Sequence, residues 1–427
     1  MSFPREWPRR LSTRESAVLC ALVGLAAASY AVYGILLNPL RPHVLTPLGY
    51  YGQVDQSYYL RSARVLAKLR LPNAPVQYFY GLGYPVLGAL FTRIGFRGDP
   101  FAPADVLLFG GICSLTFVLT NRLWQLVFGR TSAAAALVAV AVLAFSSPLF
   151  QFIVTPENSS VVVFAFLAIM VLLTAPRTIT WIRAVGVGLL LGWILAARYG
   201  DVVFVALPVV AALAMVRRDE RARLAAGTAI GLFVVVAVIG YSQYHAFGSP
   251  LTTPYHFHTR LQPGLGNDQS LKNYRLAWVP SHFLGVVVTG RINGRQEPTN
   301  PMLLQFPLLL FAPIGAFAVL RRAGRNGAVW LAAIVASTLA SLFYFAFIAG
   351  GAGDLAYGNL RYWATWYPLW AMLAVAGVYY VLLILRARVR AARDRTEGGV
   401  VGRGEDRAIE QISNQARSVI DRAIYGA

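Results

Sequence analysis

Long uncharged stretches of apolar residues constrain the fold of this chain more than any other feature of its sequence. The first stretch, Ala17–Leu37, contains no charged side chain, and a helix of about 20 apolar residues crosses a hydrocarbon layer about 30 Å thick. Of the 427 residues, 57% are hydrophobic and only 13% are charged, whereas a soluble protein has roughly 25% charged residues. The sequence therefore predicts an all-α, polytopic transmembrane helical bundle.

Ten stretches have the composition expected of membrane spans. They are Ala17–Leu37, Ala104–Val127, Ser132–Phe150, Asn158–Leu173, Ala184–Ala197, Val202–Val216, Leu224–Tyr244, Met302–Leu320, Ala328–Ala349 and Trp363–Leu385. A further stretch, Tyr84–Gly95, is apolar but short, and we predict that it is interfacial or re-entrant. Counting it as a span would reverse the arginine bias of every later loop. With ten spans, both termini are cytoplasmic and most of the 38 lysine and arginine residues lie inside.

The fifth and sixth predicted spans are shorter than a bilayer requires. Either the side chains of Arg183 and Arg217 extend to the interface, or Arg198 and Asp201 lie at membrane depth. An ion pair that closes the tight turn between these spans is the alternative to a functional charge at this point.

The formal net charge of +20 comes almost entirely from arginine, since Lys68 and Lys272 are the only lysines. This charge lies in loops between spans, so membrane topology explains it better than a nucleic acid partner does. Cys20 and Cys113 both fall within predicted spans, which excludes a disulfide framework and a zinc site. The sequence has no Walker A loop and no GxGxxG motif after a strand, which argues against an ATP-driven transporter.

The two ends of the sequence are polar. Basic residues precede the first span, but no small-residue cleavage site follows it, so we expect an uncleaved span and not a signal peptide. The segment after the last span has alternating charge, which is typical of a cytoplasmic helix or of disorder. The predicted division is a membrane domain at 1–385 and a basic polar tail at 386–427.

The first external loop contains a single carboxylate, Asp55, among several tyrosines in the stretch Tyr50–Arg61. A helical pattern runs from Asp55 to about Leu69. One face carries Arg61, Arg64 and Lys68, and the opposite face carries Tyr59, Ala63 and Leu66. Such a juxtamembrane amphipathic helix suits a surface with anionic head groups, and a carboxylate beside it suits chemistry on a lipid phosphate. The alternative is an ordinary interfacial helix with a solvated or capping Asp55.

Acidic residues are scarce in the other predicted external segments. Asp99 and Asp105 flank prolines near the start of a span, where a turn or a helix cap is the expected role. Glu157 follows Pro156 just before the fourth span. It is either a first-turn carboxylate stabilised by the helix dipole or a residue that faces Asp55 across a cavity.

The loops after the seventh and ninth spans contribute histidine and arginine candidates. His256 and His258 are spaced to share one face of an extended segment, and His245 or His282 could complete a metal site. No cysteine or HExxH pattern supports that site, so no metal is assigned and a divalent ion stays an alternative. Arg361, which lies between aromatic residues, is either a membrane anchor or a clamp for a phosphate group.

These patches, in this order, resemble the GT-C superfamily of integral-membrane glycosyltransferases, in particular the bacterial branch similar to protein mannosyltransferases and the lipid A aminoarabinose transferase. The matching elements are Asp55 followed by Tyr58 and Tyr59, the segments Gly83–Leu90, Glu157 and Gly248–Tyr255, and the Gly-x-x-Arg-Tyr element from Gly358 to Tyr362. Two departures are that Gln56 follows Asp55 where many relatives have a second acidic residue, and that only arginines and Lys68 are candidates for the basic group that many relatives have close by.

The resemblance implies an inverting transfer of a sugar from a polyprenyl-phosphate donor to a hydroxyl acceptor, which is a glycan, a lipid or a protein, on the exoplasmic side. Asp55 would be the general base, and arginines would stabilise the departing phosphate. The expected substrate-binding residues are Glu157, Arg198, Arg361, Tyr58, Tyr59, Arg61, Arg64, Lys68, Tyr255 and Tyr362. The expected location is the inner (plasma) membrane, among membrane lipids, with a role in the cell envelope.

A flippase or other transporter of lipid-linked saccharides is the alternative function, since charged groups at membrane depth also suit a carrier. The long external loops and the concentration of polar candidates on one face favour the enzyme. A carrier should also have functional polar residues in the middle of its spans, and Ser132–Phe150 and Ala328–Ala349 have few.

Overall fold

The computed structural model describes residues 13–37, 51, 54–73, 76–146, 155–176, 178–254, 256–257, 275–289, 291–292, 295–296, 302–347 and 365–396. Among them are five helices long and apolar enough to cross a membrane. These are α1 (Thr13–Leu37), α4 (Ala102–Phe128), α9 (Arg218–Phe247), α13 (Arg325–Phe347) and α14 (Tyr367–Thr396). Each contains or overlaps one of the predicted spans, so the all-α polytopic fold is confirmed.

The other five predicted spans correspond to shorter apolar helices. They are α5 (Ala133–Ala144), α6 (Ser159–Leu173), α7 (Trp181–Ala197), α8 (Asp201–Met215) and the pair formed by a 3-10 turn (Pro307–Phe311) and α12 (Ala312–Leu320). With 15 residues, α8 is about 22 Å long at 1.5 Å per residue. It is therefore shorter than the hydrocarbon layer, as the sequence predicted.

Several small elements lie outside the spans. The first external loop holds α2 (Val54–Ala67) and α3 (Pro85–Arg93). The loop after α9 holds a 3-10 turn (Leu276–Trp278), α10 (Val279–Phe283), a π-helical turn (Leu284–Thr289), the strands β1 (Arg291–Ile292) and β2 (Arg295–Gln296), and α11 (Met302–Gln305). The two strands form an antiparallel hairpin with Arg291 opposite Gln296.

The juxtamembrane helix forms where the sequence predicted it, but its apolar face does not lie on lipid. Tyr59 and Ala63 are 2% and 0% exposed, because α2 packs on α3 and joins the main hydrophobic core. Arg61, Arg64 and Lys68 are exposed on the opposite face. The helix is amphipathic because one side faces protein, and the sequence pattern alone does not distinguish protein from lipid.

Neighbouring helices pack in close pairs: α7 on α9, α1 on α4, α12 on α14, and α13 on α8. Tyr84–Gly95 contains only the nine-residue helix α3, which is about 13 Å long and too short to span a bilayer. At the other end of the chain, the last helix, α14, continues past Leu385 to Thr396. The first described residues of the predicted tail therefore belong to this helix.

Candidate active site

Asp55 lies in the first turn of α2, at its amino-terminal end. Its side chain is half-buried. The Tyr80 hydroxyl donates a hydrogen bond of 2.6 Å to Asp55 Oδ1. A side-chain oxygen of Asp55 is thus held by the tyrosine at the amino-terminal end of the helix.

Glu157 approaches the residue next to Asp55. The Gln56 amide donates to Glu157 Oε1 at 3.0 Å, and each of the two side chains is only 5% exposed. The Ser160 hydroxyl donates to the Glu157 backbone carbonyl at 2.7 Å, which fixes the turn that leads into α6. The Gln56 side chain therefore joins the first turn of α2 to the segment just before α6. That Glu157 faces Asp55 across a cavity stays a prediction.

The segment of the first loop that contains Gly83 lies against the carboxyl-terminal end of α7. The Gly83 N–H donates to the Ala196 carbonyl at 2.9 Å, and Trp193 Nε1 donates to the Gly83 carbonyl at 2.8 Å. A Cβ on Gly83 would lie 2.7 Å from the Ala197 nitrogen. Only glycine permits this backbone approach, which holds the loop of Asp55 against the membrane bundle.

Arg198 and Asp201 form the ion pair that closes the turn between α7 and α8. The Arg198 Nε and the Asp201 Oδ2 are 3.1 Å apart, and the two residues are 8% and 0% exposed. The guanidinium also donates to Ser159 Oγ at 3.2 Å and to the Tyr344 hydroxyl at 3.3 Å. Tyr344 in turn donates to Asp201 Oδ1. Each of the three guanidinium nitrogens therefore has a protein partner.

Tyr199, in the same turn between α7 and α8, links that turn to α9 and to the first loop. The Gln243 amide donates to the Tyr199 hydroxyl at 3.1 Å, and the Tyr78 ring packs on Phe247 with centroids 5.2 Å apart. Burial, the neighbouring Tyr199 and a hydrogen bond to it raise the pKa of the Tyr78 hydroxyl above its ordinary value. Tyr78 is therefore a neutral hydrogen-bond donor, and its position ties the first loop to two spans.

Two further aromatic rings pack beside Tyr80, the residue that donates to Asp55. Tyr58 and Phe79 stack with centroids 4.2 Å apart and ring planes 10° apart. Phe79 and Tyr80 meet edge to face at 4.9 Å. All three rings are partly exposed. The Arg61 guanidinium lies 5.6 Å from the centre of the Tyr58 ring.

The remaining candidates have different surroundings. Tyr59 is buried and packs on Tyr80 and Tyr84 at 5.3 and 5.5 Å, which makes it a packing residue of α2. Asp99 accepts from the Tyr51 hydroxyl at 2.5 Å and from the Ala102 N–H at 3.3 Å, as expected of a residue that caps α4. The buried Asp105 accepts from the Tyr84 hydroxyl at 2.6 Å.

Arg361, Tyr362, Tyr255 and His258 lie outside the described residues. His256 is exposed, and His282 is buried with its Nδ1 2.7 Å from the Phe345 carbonyl. Within the described part of the chain, no group of three or more His, Cys, Asp and Glu side chains is arranged to hold a metal ion.

Four residues in the contacts described above were not predicted as site residues. They are Gln56, Phe79, Tyr80 and Tyr344. For Phe79 and Tyr80 a signal existed, because the first loop contains the aromatic run Gln77–Tyr80 close to Asp55. Gln56 was noted only as a departure from the family pattern. Tyr344 lies within an apolar span and has no local signal.

No family model matches the sequence, and no curated protein matches it. The fold is similar to that of the Archaeoglobus fulgidus oligosaccharyltransferase in its apo form, with a TM-score of 0.52 and 14% identity over 96% of this chain and 55% of that chain. The archaeal oligosaccharyltransferase AglB from Archaeoglobus fulgidus, in complex with an inhibitory peptide and a dolichol-phosphate, gives a TM-score of 0.50 with the same identity and coverage. This chain shares the fold of these oligosaccharyltransferase structures. It spans about half the length of the solved enzyme.

Proposed function

We propose that this protein transfers a sugar from a polyprenyl-phosphate donor to a hydroxyl acceptor, with inversion, on the exoplasmic side of the inner membrane. The observation that carries the proposal is the fold shared with an oligosaccharyltransferase that has been solved with a dolichol-phosphate. The bacterial branch that resembles protein mannosyltransferases and the lipid A aminoarabinose transferase is the proposed subgroup. Both termini would then be cytoplasmic, as the arginine distribution favours.

In the proposed reaction, Asp55 removes the proton from the acceptor hydroxyl as that oxygen bonds to the anomeric carbon. The bond between the anomeric carbon and the phosphate oxygen breaks on the opposite side, and its electron pair stays on the phosphate. The products are the glycosylated acceptor and free polyprenyl phosphate. Tyr80 supports this role because its hydrogen bond, 2.6 Å long, orients the carboxylate.

Glu157 would position the acceptor or the sugar, since its link to Gln56 keeps it beside the first turn of α2. Arg198 and Arg361 are the proposed contacts to the donor phosphate, where guanidinium groups match the phosphate oxygens. Asp201 already balances the charge of Arg198, so Arg361 would supply more of the net positive charge. Arg61, Arg64 and Lys68 are exposed and would contact lipid head groups.

The test is a transfer assay with the full chain reconstituted in lipid nanodiscs. Radiolabelled polyprenyl-phosphate sugars would be supplied as a panel, and the release of free polyprenyl phosphate measured. An enzyme releases it, and Asp55→Asn should stop the release. Movement of an intact lipid-linked saccharide across liposomes without release would favour the transporter and contradict this proposal.

A further inference from the structure

The loop after α9 contains a continuous helical segment that is apolar and yet exposed. It begins with the 3-10 turn (Leu276–Trp278), continues as α10 (Val279–Phe283) and ends with the π-helical turn (Leu284–Thr289). The sequence from 276 to 290 contains no Asp, Glu, Lys or Arg, and Arg275 and Arg291 border it. The segment Leu276–Thr289 is shorter than a membrane span, which needs about 20 residues.

One side of this segment exposes large apolar side chains. Leu276, Phe283, Leu284 and Val288 are between 44% and 79% exposed. They are separated by four, seven or eight positions, and residues at about this spacing share one side of a helix. His282, on another side, is buried. A contiguous exposed apolar face of this kind marks a contact with a membrane or with another protein.

The buried side of the segment is fixed to the last turn of α13. The Arg275 N–H donates to the Ala346 carbonyl at 3.0 Å. A carbonyl can only accept, so His282 donates through Nδ1 to the Phe345 carbonyl, at 2.7 Å. The Phe283 and Phe345 rings also meet edge to face, with centroids 6.2 Å apart. The segment is therefore held at one end of a helix that is long enough to cross the membrane.

The length of α13 indicates the depth of this attachment. Its 23 residues extend about 34 Å, so its two ends lie at the two edges of a hydrocarbon layer about 30 Å thick. Phe345 and Ala346 are in the last turn, next to one of these edges. A segment that is bound to them lies where the hydrocarbon layer meets the head groups.

We propose that Leu276–Thr289 is an interfacial helix whose exposed apolar face rests in the lipid layer at the Phe347 end of α13. Helices of this kind lie in the plane of the interface, with the apolar face about 5–10 Å into the boundary between head groups and acyl chains. Trp278 fits this level, because tryptophan is enriched at membrane interfaces. The exposed Arg275 lies over the Trp278 ring at 4.9 Å and can pair with a lipid phosphate. The depth and the bordering arginines favour the bilayer over a second protein.

The position of this helix also bears on the candidate site. Tyr344, one residue before Phe345, accepts from the Arg198 guanidinium at 3.3 Å and donates to Asp201. The last turns of α13 therefore contact the interfacial helix and the buried ion pair. Contact with lipid would steady the end of α13 beside that pair.

Depth-dependent fluorescence quenching in nanodiscs tests this contact without any transfer reaction. The starting variant has Cys20 and Cys113 replaced by serine, and each nanodisc holds one copy of the full chain. Phe283→Cys or Leu276→Cys then carries a bimane label. Phospholipids brominated near the middle or near the end of their acyl chains should quench both labels, whereas aqueous iodide should quench them weakly. The two bromine positions should place the labels about 5–10 Å into the head-group boundary.

Ser281→Cys is the matched control, because Ser281 is exposed and lies two positions from Phe283, on the other side of the helix. Iodide should quench its label more strongly than brominated lipid does. Phe233→Cys, in the middle of α9 and exposed, gives the quenching of a side chain deep in lipid. Leu276→Cys is the independent position if Phe283→Cys folds poorly.

Two results would overturn the proposal. In the first, iodide quenches the labels at 276 and 283 as strongly as the label at 281, and brominated lipid quenches none of the three, so the face lies in water. In the second, neither quencher reaches the labels at 276 and 283, so protein covers the face. Neither result depends on whether the chain transfers a sugar.

Discussion

The Gln56 amide donates a hydrogen bond of 3.0 Å to the Glu157 carboxylate, across 101 residues of sequence. Both side chains are buried, so this bond joins the first external loop to the start of α6 out of contact with water. An amide at position 56 is suited to this contact, because a second carboxylate there would repel Glu157. The amide at position 56 thus has a physical reason in this chain.

Gln56→Glu should make activity depend on pH. Two buried carboxylates this close repel each other when both are ionised, so the pKa of one of them would rise in the variant. At high pH both tend to ionise and the loops separate, and at lower pH one is protonated and donates a hydrogen bond again. Transfer should therefore be impaired at pH 8 and partly restored at pH 6. Gln56→Leu removes the donor without adding charge and should be equally impaired at both values. A Gln56→Glu profile that follows the wild type would contradict the role of this link.

Arg198 should not be replaceable by lysine. Its nitrogens contact Asp201, Ser159 and Tyr344, and a single ammonium group cannot reach all three. Arg198→Lys should lower turnover. Asp201→Asn should cost about 3–5 kcal/mol in the free energy of unfolding, because it leaves a buried charge without its partner.

The control for this ion pair is Arg217→Lys. Arg217 pairs with Glu220 at 3.7 Å but its side chain is 76% exposed, and such pairs contribute about 0–1 kcal/mol. Thermal unfolding of Arg198→Lys, Asp201→Asn and Arg217→Lys measures the loss of stability in each variant, so that a loss of turnover can be judged separately. Wild-type donor affinity and turnover in both Arg198→Lys and Arg361→Lys would remove these residues from the phosphate site.

Helix positions were predictable from the sequence because apolarity is a local property. The predicted span Leu224–Tyr244 lies inside α9 (Arg218–Phe247), and the predicted juxtamembrane helix from Asp55 to Leu69 lies within two residues of α2. The ends were less accurate, since a helix continues into water for as long as its polar residues are good helix formers.

The partners of the site residues were not predictable from sequence. The Tyr344 hydroxyl contacts Asp201 across 143 residues, and nothing near Tyr344 in the sequence indicates a polar contact. The sequence also did not determine whether Tyr59 faces lipid or protein, because an aromatic ring packs favourably against either. Such pairings arise from the packing of helices that are distant in sequence.

Gly83→Ala should detach the first loop from α7. The added methyl group would lie 2.7 Å from the Ala197 nitrogen, and a backbone atom within a helix cannot move aside. We expect lower thermal stability and a loss of transfer. Gly98→Ala is the matched control in the same loop, because its Cβ would meet nothing within 4 Å. Wild-type melting and activity of Gly83→Ala would show that this contact is dispensable.

The ten-span topology predicts which positions face the outside. In a protein with Cys20 and Cys113 replaced by serine, Leu251→Cys should react with an impermeant maleimide in intact cells, since Leu251 is 88% exposed in the loop after α9. Arg218→Cys, at the exposed start of α9, should react only after permeabilisation. The reverse pattern would invert the topology and place Asp55 in the cytoplasm.

Asp55→Asn gives the most direct test of the proposed mechanism. The variant keeps the size of the side chain and an oxygen that accepts from Tyr80, but it cannot take the acceptor proton. Loss of a general base typically lowers the rate about 10² to 10⁴-fold, and donor binding should change far less because cations would hold the phosphate. Asp99→Asn is the matched control, since Asp99 also accepts from a tyrosine hydroxyl of the first loop, at 2.5 Å from Tyr51, and should stay near the wild-type rate. Glu157→Gln should fall between the two if it only positions a substrate. A folded Asp55→Asn protein that transfers sugar at the wild-type rate would exclude Asp55 as the base.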